Sequence, residues 1–265
     1  MNEQQGLQTS AMPSSRPISI LLVNPNATES MTNSCLSTLT PFLPSDVHVT
    51  PFTAPAGDAP TAIESTTDSI LASAACFRAI LPLQKQHSFD AILVACYSDI
   101  PLIKMLREEF TIPVIGIMEA SLLYARTLGG RFGLIATSAR SKIIHRDAVR
   151  AYGCESFCAG IESCNLGVLE LESRPSEEVV AILRDVARKL IADGAEVLTL
   201  GCAGMSMLKT AVEAAVETEQ VQCVDGVVAG IQHLTGCVRM GGKTSKVGGW
   251  RSSAEGRKRR GQEYV

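Results

Sequence analysis

The sequence alternates short, almost entirely apolar runs with longer segments of helical character. The clearest runs are residues 18–23, 91–95, 132–136 and 197–200, and none shows the regular polar–apolar alternation of a strand with one face in water. Strands that are apolar along their whole length are typical of parallel sheets covered by helices on both faces. The alternation of such strands with helices predicts an α/β fold built on parallel sheets.

Weaker signals complete the predicted order of elements. Further strands are predicted at residues 47–51, 112–117 and 221–224. Helices are predicted at residues 28–39, 66–86, 102–110, 139–152, 175–192, 205–216 and 225–234. Pro82 is expected to kink or end the second helix, because proline has no backbone N–H to donate.

The order of elements in the first half of the chain recurs in the second half. Each half begins with a strand, a loop and a helix, and each later has a strand that ends in a cysteine loop followed by a helix and a strand. Few residues coincide, so the repeat is structural. It predicts two pseudo-symmetric, flavodoxin-like α/β domains that face each other.

The expected domain boundaries follow from this repeat. The first domain is predicted to take up residues 17–117 and 225–239, and the second residues 118–224. Residues 1–16, rich in Gln, Ser and Pro, are expected to be a disordered extension. Residues 240–265 contain seven basic and two acidic residues and are expected to be a basic disordered tail.

Two cysteines occupy matching places in the two halves. Cys96 and Cys202 each follow an apolar strand run and precede a helix-like segment. Open parallel sheets bind ligands outside the carboxyl ends of their strands, where both cysteines lie. If the two domains face each other, one thiol should lie on each side of a shared cleft. That arrangement could remove a proton from one face of a carbon and return one to the other face.

The composition narrows the class of protein. The 265-residue chain is 46% hydrophobic with a net charge of −3, which gives no general reason to expect nucleic acid as a partner. The basic run at 257–260 could bind nucleic acid, but a solvated tail is favoured. No apolar stretch approaches the roughly 20 residues that span a bilayer, so no membrane association is expected. Nine cysteines and no apolar leader favour a reducing, cytoplasmic location with thiols rather than disulfides.

Other motifs are weak. Cys154, Cys158 and Cys164 lack nearby histidines and are poor zinc ligands, so no metal site is expected. The four histidines are scattered, and structural roles are favoured for them. The glycine-rich segment 129–133 precedes a strand rather than following one, which indicates a turn and not a nucleotide-binding loop.

Six short segments together resemble the hydantoin racemase branch of the aspartate/glutamate racemase superfamily. They occur in order over roughly residues 18–238: Leu22-Val-Asn-Pro-Asn26, Ala95-Cys-Tyr-Ser-Asp99, Val114-Ile-Gly-Ile-Met-Glu-Ala120, Leu128-Gly-Gly-Arg-Phe-Gly133, Leu200-Gly-Cys-Ala-Gly-Met205 and Val224-Asp-Gly-Val227. Two of the segments contain the cysteines that match the catalytic cysteines of that family. The N-terminal extension and the basic tail lie outside the resemblance.

The resemblance implies a fold and an activity. The superfamily has two pseudo-symmetric α/β domains with the active site between them, and its racemases need neither metal nor pyridoxal phosphate. The implied function is cofactor-independent racemisation of a small hydantoin-like cyclic ureide or amide, with Cys96 and Cys202 as the two acid–base groups. A homo-oligomer is possible. The pKa of a thiol is expected to be lowered when it precedes a helix N-terminus, as both cysteines are predicted to do.

Residues beside the cysteines are candidates for binding the substrate. Ser98 occupies the place where amino-acid racemases of the superfamily tend to have a carboxylate-binding threonine. Backbone N–H groups in the loops at 97–99 and 203–205, including those of Ala203 and Gly204, are candidate donors to an oxyanion. Asp99 could cap a helix or tune the thiol, and capping is favoured.

Three further candidates follow other predicted strands. Asn26 could line the cleft or only form a turn before a helix. Glu119 could cap a helix or bind amide N–H groups of a ligand. Thr137 could donate to the ligand or only begin a helix.

Other functions stay open at this point. A maleate-isomerase-like reaction also uses two cysteines, one of them as a nucleophile. An amino-acid racemase is a further alternative within the superfamily. A decarboxylase of the arylmalonate type would lack the first cysteine, so Cys96 argues against it. A non-catalytic small-molecule-binding protein of the same fold is disfavoured because both thiols are present.

Overall fold

The computed structural model describes residues 16–262. The expected disordered extension therefore lies outside the described residues, apart from Arg16, and so do the last three residues of the chain. Arg16 pairs with Asp90 at 2.6 Å, next to the start of the first strand.

The first sheet contains four parallel strands in the order β2-β1-β3-β4. Its strands are β1 (Ile18–Asn24), β2 (Val47–Thr53), β3 (Ala91–Val94) and β4 (Val114–Gly116). Helices α1 (Glu29–Leu39), α2 (Thr66–His87) and α3 (Pro101–Glu109) connect them. The central strands β1 and β3 are buried along almost their whole length, as their apolar sequences predict.

The second sheet repeats this arrangement in the order β6-β5-β7-β8, again with all strands parallel. Its strands are β5 (Phe132–Ala136), β6 (Cys158–Ser163), β7 (Val197–Leu200) and β8 (Gln222–Val224). Helices α5 (Ala139–Ala151), α6 (Glu170–Ser173), α7 (Ser176–Ala192) and α8 (Lys209–Ala215) connect them. The equal strand order confirms the predicted α/β fold with two pseudo-symmetric parallel sheets.

Two helices join the sheets. Helix α4 (Ile117–Leu128) follows β4, helix α9 (Gly226–Arg239) follows β8, and the two pack against each other. One hydrophobic core includes Leu93 of the first sheet and Leu134 of the second, so the two halves share a packed interior. The division at residues 117 and 225 into two domains stays a proposal, which the separate sheets support.

The structure departs from the sequence prediction at Pro82, at strand β6 and at the helix predicted at 205–216. Helix α2 passes through Pro82 to His87, because Pro82 lies on the exposed side of the helix and its missing donor leaves no buried carbonyl unpaired. Strand β6 was not predicted, since it is a half-buried edge strand interrupted by Gly160 and Glu162. The helix predicted at 205–216 is a 3-10 helix (Ala203–Leu208) followed by α8.

The tail expected to be disordered is folded as far as residue 262. Residues 243–262, here called the C-terminal strap, include α10 (Ala254–Arg259) and pack on α3. Lys246 donates to the carbonyls of Arg107 and Glu108 at the end of α3, and Arg257 pairs with Glu109 at 2.7 Å. Composition alone predicted a solvated tail, whereas here Lys246 and Arg257 find acceptors on the folded domain.

Two further observations concern residues 16–262 only. No helix within them is both long and apolar enough to cross a membrane. Within the same range, no group of three or more His, Cys, Asp or Glu side chains is arranged to hold a metal ion.

Candidate active site

The loops predicted to form the active site lie at equivalent places in the two sheets. Strand order reverses between β1 and β3 in the first sheet and between β5 and β7 in the second. Asn26 and Cys96 follow the first pair of strands, and Thr137 and Cys202 follow the second pair. The reversal point at the carboxyl ends of parallel strands is the usual ligand site of open α/β sheets. Each half of the chain therefore contributes one such site.

The two sites open onto one cavity of about 500 Å³. Both Cys96 and Cys202 line it, as the sequence predicts for two thiols at a shared cleft. Six polar residues near them also line it: Asn26, Ser98, Thr137, Ser138, Ser141 and His145. Aliphatic residues form another part of the wall: Met31, Ile63, Ile70, Ile144, Ala148 and Ala151. A cavity of this size that is mainly apolar with a few polar groups is typical of small-molecule sites.

Cys96 is a half-buried thiol in a loop rather than at a helix end. Helix α3 begins at Pro101, with Ile100 as the residue before it, so Cys96 lies too far from the helix N-terminus to be stabilised by it. Burial raises the pKa of Cys96, and a hydrogen bond with Ser98, at 3.3 Å between Sγ and Oγ, opposes that rise. The expectation of a lowered pKa is therefore wrong for Cys96, because burial outweighs the nearby donor.

Cys202 stands directly before the 3-10 helix. Its backbone is extended, and its Sγ accepts a hydrogen bond from the N–H of Gly204 at 3.4 Å. The two cysteines thus differ: Cys96 is paired with a hydroxyl, and Cys202 with a backbone N–H.

The two cysteine loops differ in the donors they offer. In the part of the chain that the structure describes, the amides of Tyr97, Ser98 and Asp99 donate to no protein acceptor. In the second loop, Gly204 donates to Cys202 sulfur and Met205 to the Cys202 carbonyl. The Cys96 loop is therefore the better candidate for stabilising an oxyanion, and Gly204, which does not line the cavity, acts on sulfur instead.

The ring of Tyr97 anchors the Cys96 loop to the rest of the protein. Tyr97 is buried, and its hydroxyl lies 2.7 Å from the hydroxyl of Ser121 on α4. The His145 ring on α5 meets the Tyr97 ring edge-on, with 5.5 Å between centroids. The loop is thus held by two helices, α4 and α5.

Asp99 lines the cavity but does not cap α3. Its carboxylate binds Lys104 at 2.5 Å and accepts a hydrogen bond from the Tyr152 hydroxyl at 3.2 Å. The favoured capping interpretation was wrong, because Ile100 and Pro101 form the start of the helix. Asp99 instead links the Cys96 loop to the end of α5.

Glu119 is placed away from the cavity. It lies in the first turn of α4, where its carboxylate binds Arg107 at 2.7 Å. It does not line the cavity, so it is no longer a candidate for binding substrate. Capping is not observed either, because Glu119 is the third residue of α4 and the start of that helix has no side-chain cap.

Asn26 and Thr137 both line the cavity, and their binding of a ligand stays a proposal. Asn26 Oδ1 accepts hydrogen bonds from Asn24 Nδ2 and the N–H of Thr28, which shapes the turn before α1, and Asn26 also lines the cavity. Thr137 lines the cavity as well, with its hydroxyl 3.0 Å from that of Ser141. Ala203, the remaining candidate, also lines the cavity.

Sequence reasoning missed one face of α5. Ser138, Ser141, His145 and Ala148 line the cavity at spacings of three and four residues, which place side chains on one side of a helix. Burial lowers the pKa of His145 to about 4, so its ring is neutral near pH 7. Continuing the helical spacing from Ser138 would have found this face.

Comparisons with known proteins agree with this geometry. A family model described as Asp/Glu/Hydantoin racemase matches residues 20–234. The hydantoin racemase of Rhizobium meliloti is 34% identical over 228 residues, covering 86% of this chain and 92% of that protein. The hydantoin racemase of Pseudomonas sp. (strain NS671) is 31% identical, covering 86% of this chain and 89% of that protein.

A solved structure extends the agreement to three dimensions. The allantoin racemase from Klebsiella pneumoniae has a TM-score of 0.81 at 26% identity, covering 89% of this chain and 93% of that one. Hydantoin and allantoin racemases are isomerases, so the predicted enzyme class is confirmed. The matched residues contain both sheets and both cysteine loops, and the chain belongs to the Asp/Glu/hydantoin racemase family.

Proposed function

We propose that this chain racemises a hydantoin-like cyclic ureide or amide by a two-base mechanism that uses Cys96 and Cys202 and no cofactor. The observation that carries the proposal is that both thiols line one cavity, each from the carboxyl end of the corresponding strand in its own sheet. A carbon held between them would present one face to each sulfur.

The chemistry is a proton abstraction next to a carbonyl. One cysteine, as thiolate, takes the proton from the ring carbon and becomes a thiol. The electron pair moves onto the neighbouring carbonyl oxygen, which forms an enolate. The other cysteine, as thiol, then gives its proton to the opposite face and becomes a thiolate. The reverse reaction exchanges the two roles, so no group is consumed.

The loop amides support a binding place for the enolate oxygen on the Cys96 side. Tyr97, Ser98 and Asp99 offer backbone N–H groups beside the sulfur. Such preorganised donors stabilise charge that develops during the reaction. A positioned acid or base contributes about 10²–10⁴-fold in rate, and each cysteine is assigned a contribution of that order.

The charges of the cavity favour a substrate without a carboxylate. Its charged residues are acidic: Glu64, Asp99 and Asp147. Among the described residues no lysine or arginine lines it. An amino-acid dicarboxylate would therefore meet like charge, whereas a neutral ring would not. The aliphatic wall offers space for a substituent on the reacting carbon.

The proposal is tested with single enantiomers and one achiral compound. Single enantiomers of 5-substituted hydantoins, allantoin and glutamate are followed by chiral chromatography, and achiral maleate is followed by its conversion to fumarate. We expect loss of optical purity for a cyclic ureide and no change in glutamate. Conversion of maleate to fumarate, or turnover of glutamate alone, would contradict the proposal.

Cysteine variants assign the residues. Cys96→Ser and Cys202→Ser should each lower racemisation by at least about 10²-fold, because serine is a much weaker acid–base group in this role. Cys237→Ser is the matched control, since Cys237 lies on α9 outside the cavity. Full activity of either active-site variant would refute the two-base assignment.

A further inference from the structure

The imidazole of His145 is a buried polar group at the cavity that the two-cysteine mechanism leaves unused. His145 is 3% exposed and lines the cavity from α5. Its Nδ1 is buried and has no hydrogen-bond partner among the described protein groups. The ring also meets Tyr97, the residue after Cys96, edge-on. The unsatisfied group therefore lies beside the catalytic loop.

A buried polar atom without a partner destabilises a fold and calls for an explanation. Among the described residues three other buried atoms share this condition, on Gln84, Asp225 and Thr235. None of these three residues lines the cavity. A hydrogen bond with the Tyr97 backbone raises the pKa of His145, but burial outweighs it and Nδ1 still has no partner. The position of His145 points to a partner that enters the cavity.

The protonation state of His145 fixes what its nitrogens can do. Burial lowers its pKa to about 4, so the ring is neutral near pH 7 and has one donor and one acceptor nitrogen. The two nitrogens point away from each other, so a ligand edge meets one of them at a time. That nitrogen can donate to a ligand C=O or accept from a ligand N–H, and an amide or ureide edge offers both groups.

We infer that His145 is a substrate-binding residue that hydrogen-bonds the amide or ureide edge of the ligand and thereby sets which ring atom faces Cys96. This inference rests on the proposed function, because that function supplies a ligand with such an edge. It adds a recognition group on α5 to the backbone donors of the Cys96 loop. The side chain acts on binding and orientation and takes no part in proton transfer at the ring carbon.

The test uses a ligand that cannot react. 5,5-Dimethylhydantoin has the ureide ring but no hydrogen on the carbon between the methyl groups, so its affinity reports recognition alone. We would measure its Kd by calorimetry for the full chain, His145→Leu and His145→Gln, with His233→Leu as control because His233 lies on α9 outside the cavity. Racemisation of a 5-substituted hydantoin by each protein gives kcat and KM.

We expect His145→Leu to weaken 5,5-dimethylhydantoin binding and raise KM by about tenfold or more. His145→Gln, which keeps a donor and an acceptor, should recover part of the affinity, and His233→Leu should match the parent chain. The Leu variant should be no less stable than the parent, since it removes an unsatisfied group. Equal affinity of a folded Leu variant and the parent chain would overturn the inference.

The outcomes separate this inference from the proposed function. If the parent chain binds 5,5-dimethylhydantoin in a His145-dependent way but racemises nothing, the recognition role stands and the proposed reaction fails. If racemisation is observed and the Kd does not depend on His145, the reaction stands and the recognition role fails. If the parent chain neither binds nor racemises a hydantoin, both are refuted.

Discussion

Mild acid should destabilise the folded chain through His145. The pKa of this residue is lowered by burial from 6.5 to about 4. Between these values the unfolded chain binds a proton that the folded chain excludes. The stabilisation is therefore fully present above about pH 6.5 and is lost as the pH falls towards 4.

The size of the effect follows from the shift. One pKa unit corresponds to about 1.4 kcal/mol, so the whole shift is worth about 3 kcal/mol. Between pH 7 and pH 5 the expected loss from this one group is about 2 kcal/mol. Carboxylates with lowered pKa values, such as Asp90 and Glu162, lose their contributions at lower pH. The window from pH 7 to 5 thus isolates the histidine.

The assay compares the parent chain with His145→Gln by urea unfolding, followed by far-ultraviolet circular dichroism at several pH values. Glutamine does not titrate, so the difference in unfolding free energy between the two proteins should change by about 2 kcal/mol from pH 7 to pH 5. Every other titrating group cancels in that difference. A constant difference across this range would refute the account of His145 as a buried neutral ring.

Three further predictions concern the catalytic loop, the end of β7 and the strap. Ser98→Ala removes the hydroxyl that opposes the raised pKa of Cys96. The value of kcat/KM at pH 7 should therefore fall about tenfold and recover at higher pH. A pH–rate profile that superimposes on that of the parent chain would contradict this prediction. Gly201→Ala would place a Cβ 2.5 Å from the Ile135 carbonyl oxygen and should lower the free energy of unfolding by about 1–3 kcal/mol. Gly236→Ala is the control, because its Cβ would have nothing within 4 Å and should not lower the stability. Equal stability of the two variants would refute the packing argument. Arg257→Ala breaks the largely buried ion pair with Glu109, so the strap should detach at a lower urea concentration. The fluorescence of Trp250, the single tryptophan, monitors this transition. An unchanged fluorescence transition would show that the ion pair does not hold the strap.

The sheets were predictable because their central strands are covered on both faces. The runs that became β1, β3, β5 and β7 are apolar without interruption by charge, and burial on both sides requires that pattern. Edge strand β6 has one open side and tolerates Glu162, so its residues do not form the apolar run that predicts a buried strand. The strap could not be predicted from composition, because its stability depends on acceptors that α3 supplies from far along the chain.

The meeting of two thiols at one cavity was also predictable, since the repeat places Cys96 and Cys202 at matching strand ends. The environment of each sulfur was not. Asp99 finds its partners at Lys104 and at Tyr152, which directly follows α5 and is distant in sequence. The position of His145 beside the Cys96 loop is seen only once α5 is packed beside Tyr97. Contacts between the two halves decide these details, and one sequence does not reveal them.

The central claim is that one sulfur removes a proton from one face and the other sulfur returns a solvent-derived proton to the opposite face. The most direct measurement is the isotope content of both enantiomers during the first few per cent of reaction in D2O, starting from a protiated single enantiomer of a 5-substituted hydantoin. The account predicts deuterium in nearly all of the newly formed enantiomer and protium in nearly all of the remaining starting enantiomer. Protium retained in the product, or rapid deuterium gain in the starting enantiomer, would show a single base serving both faces and would contradict the account.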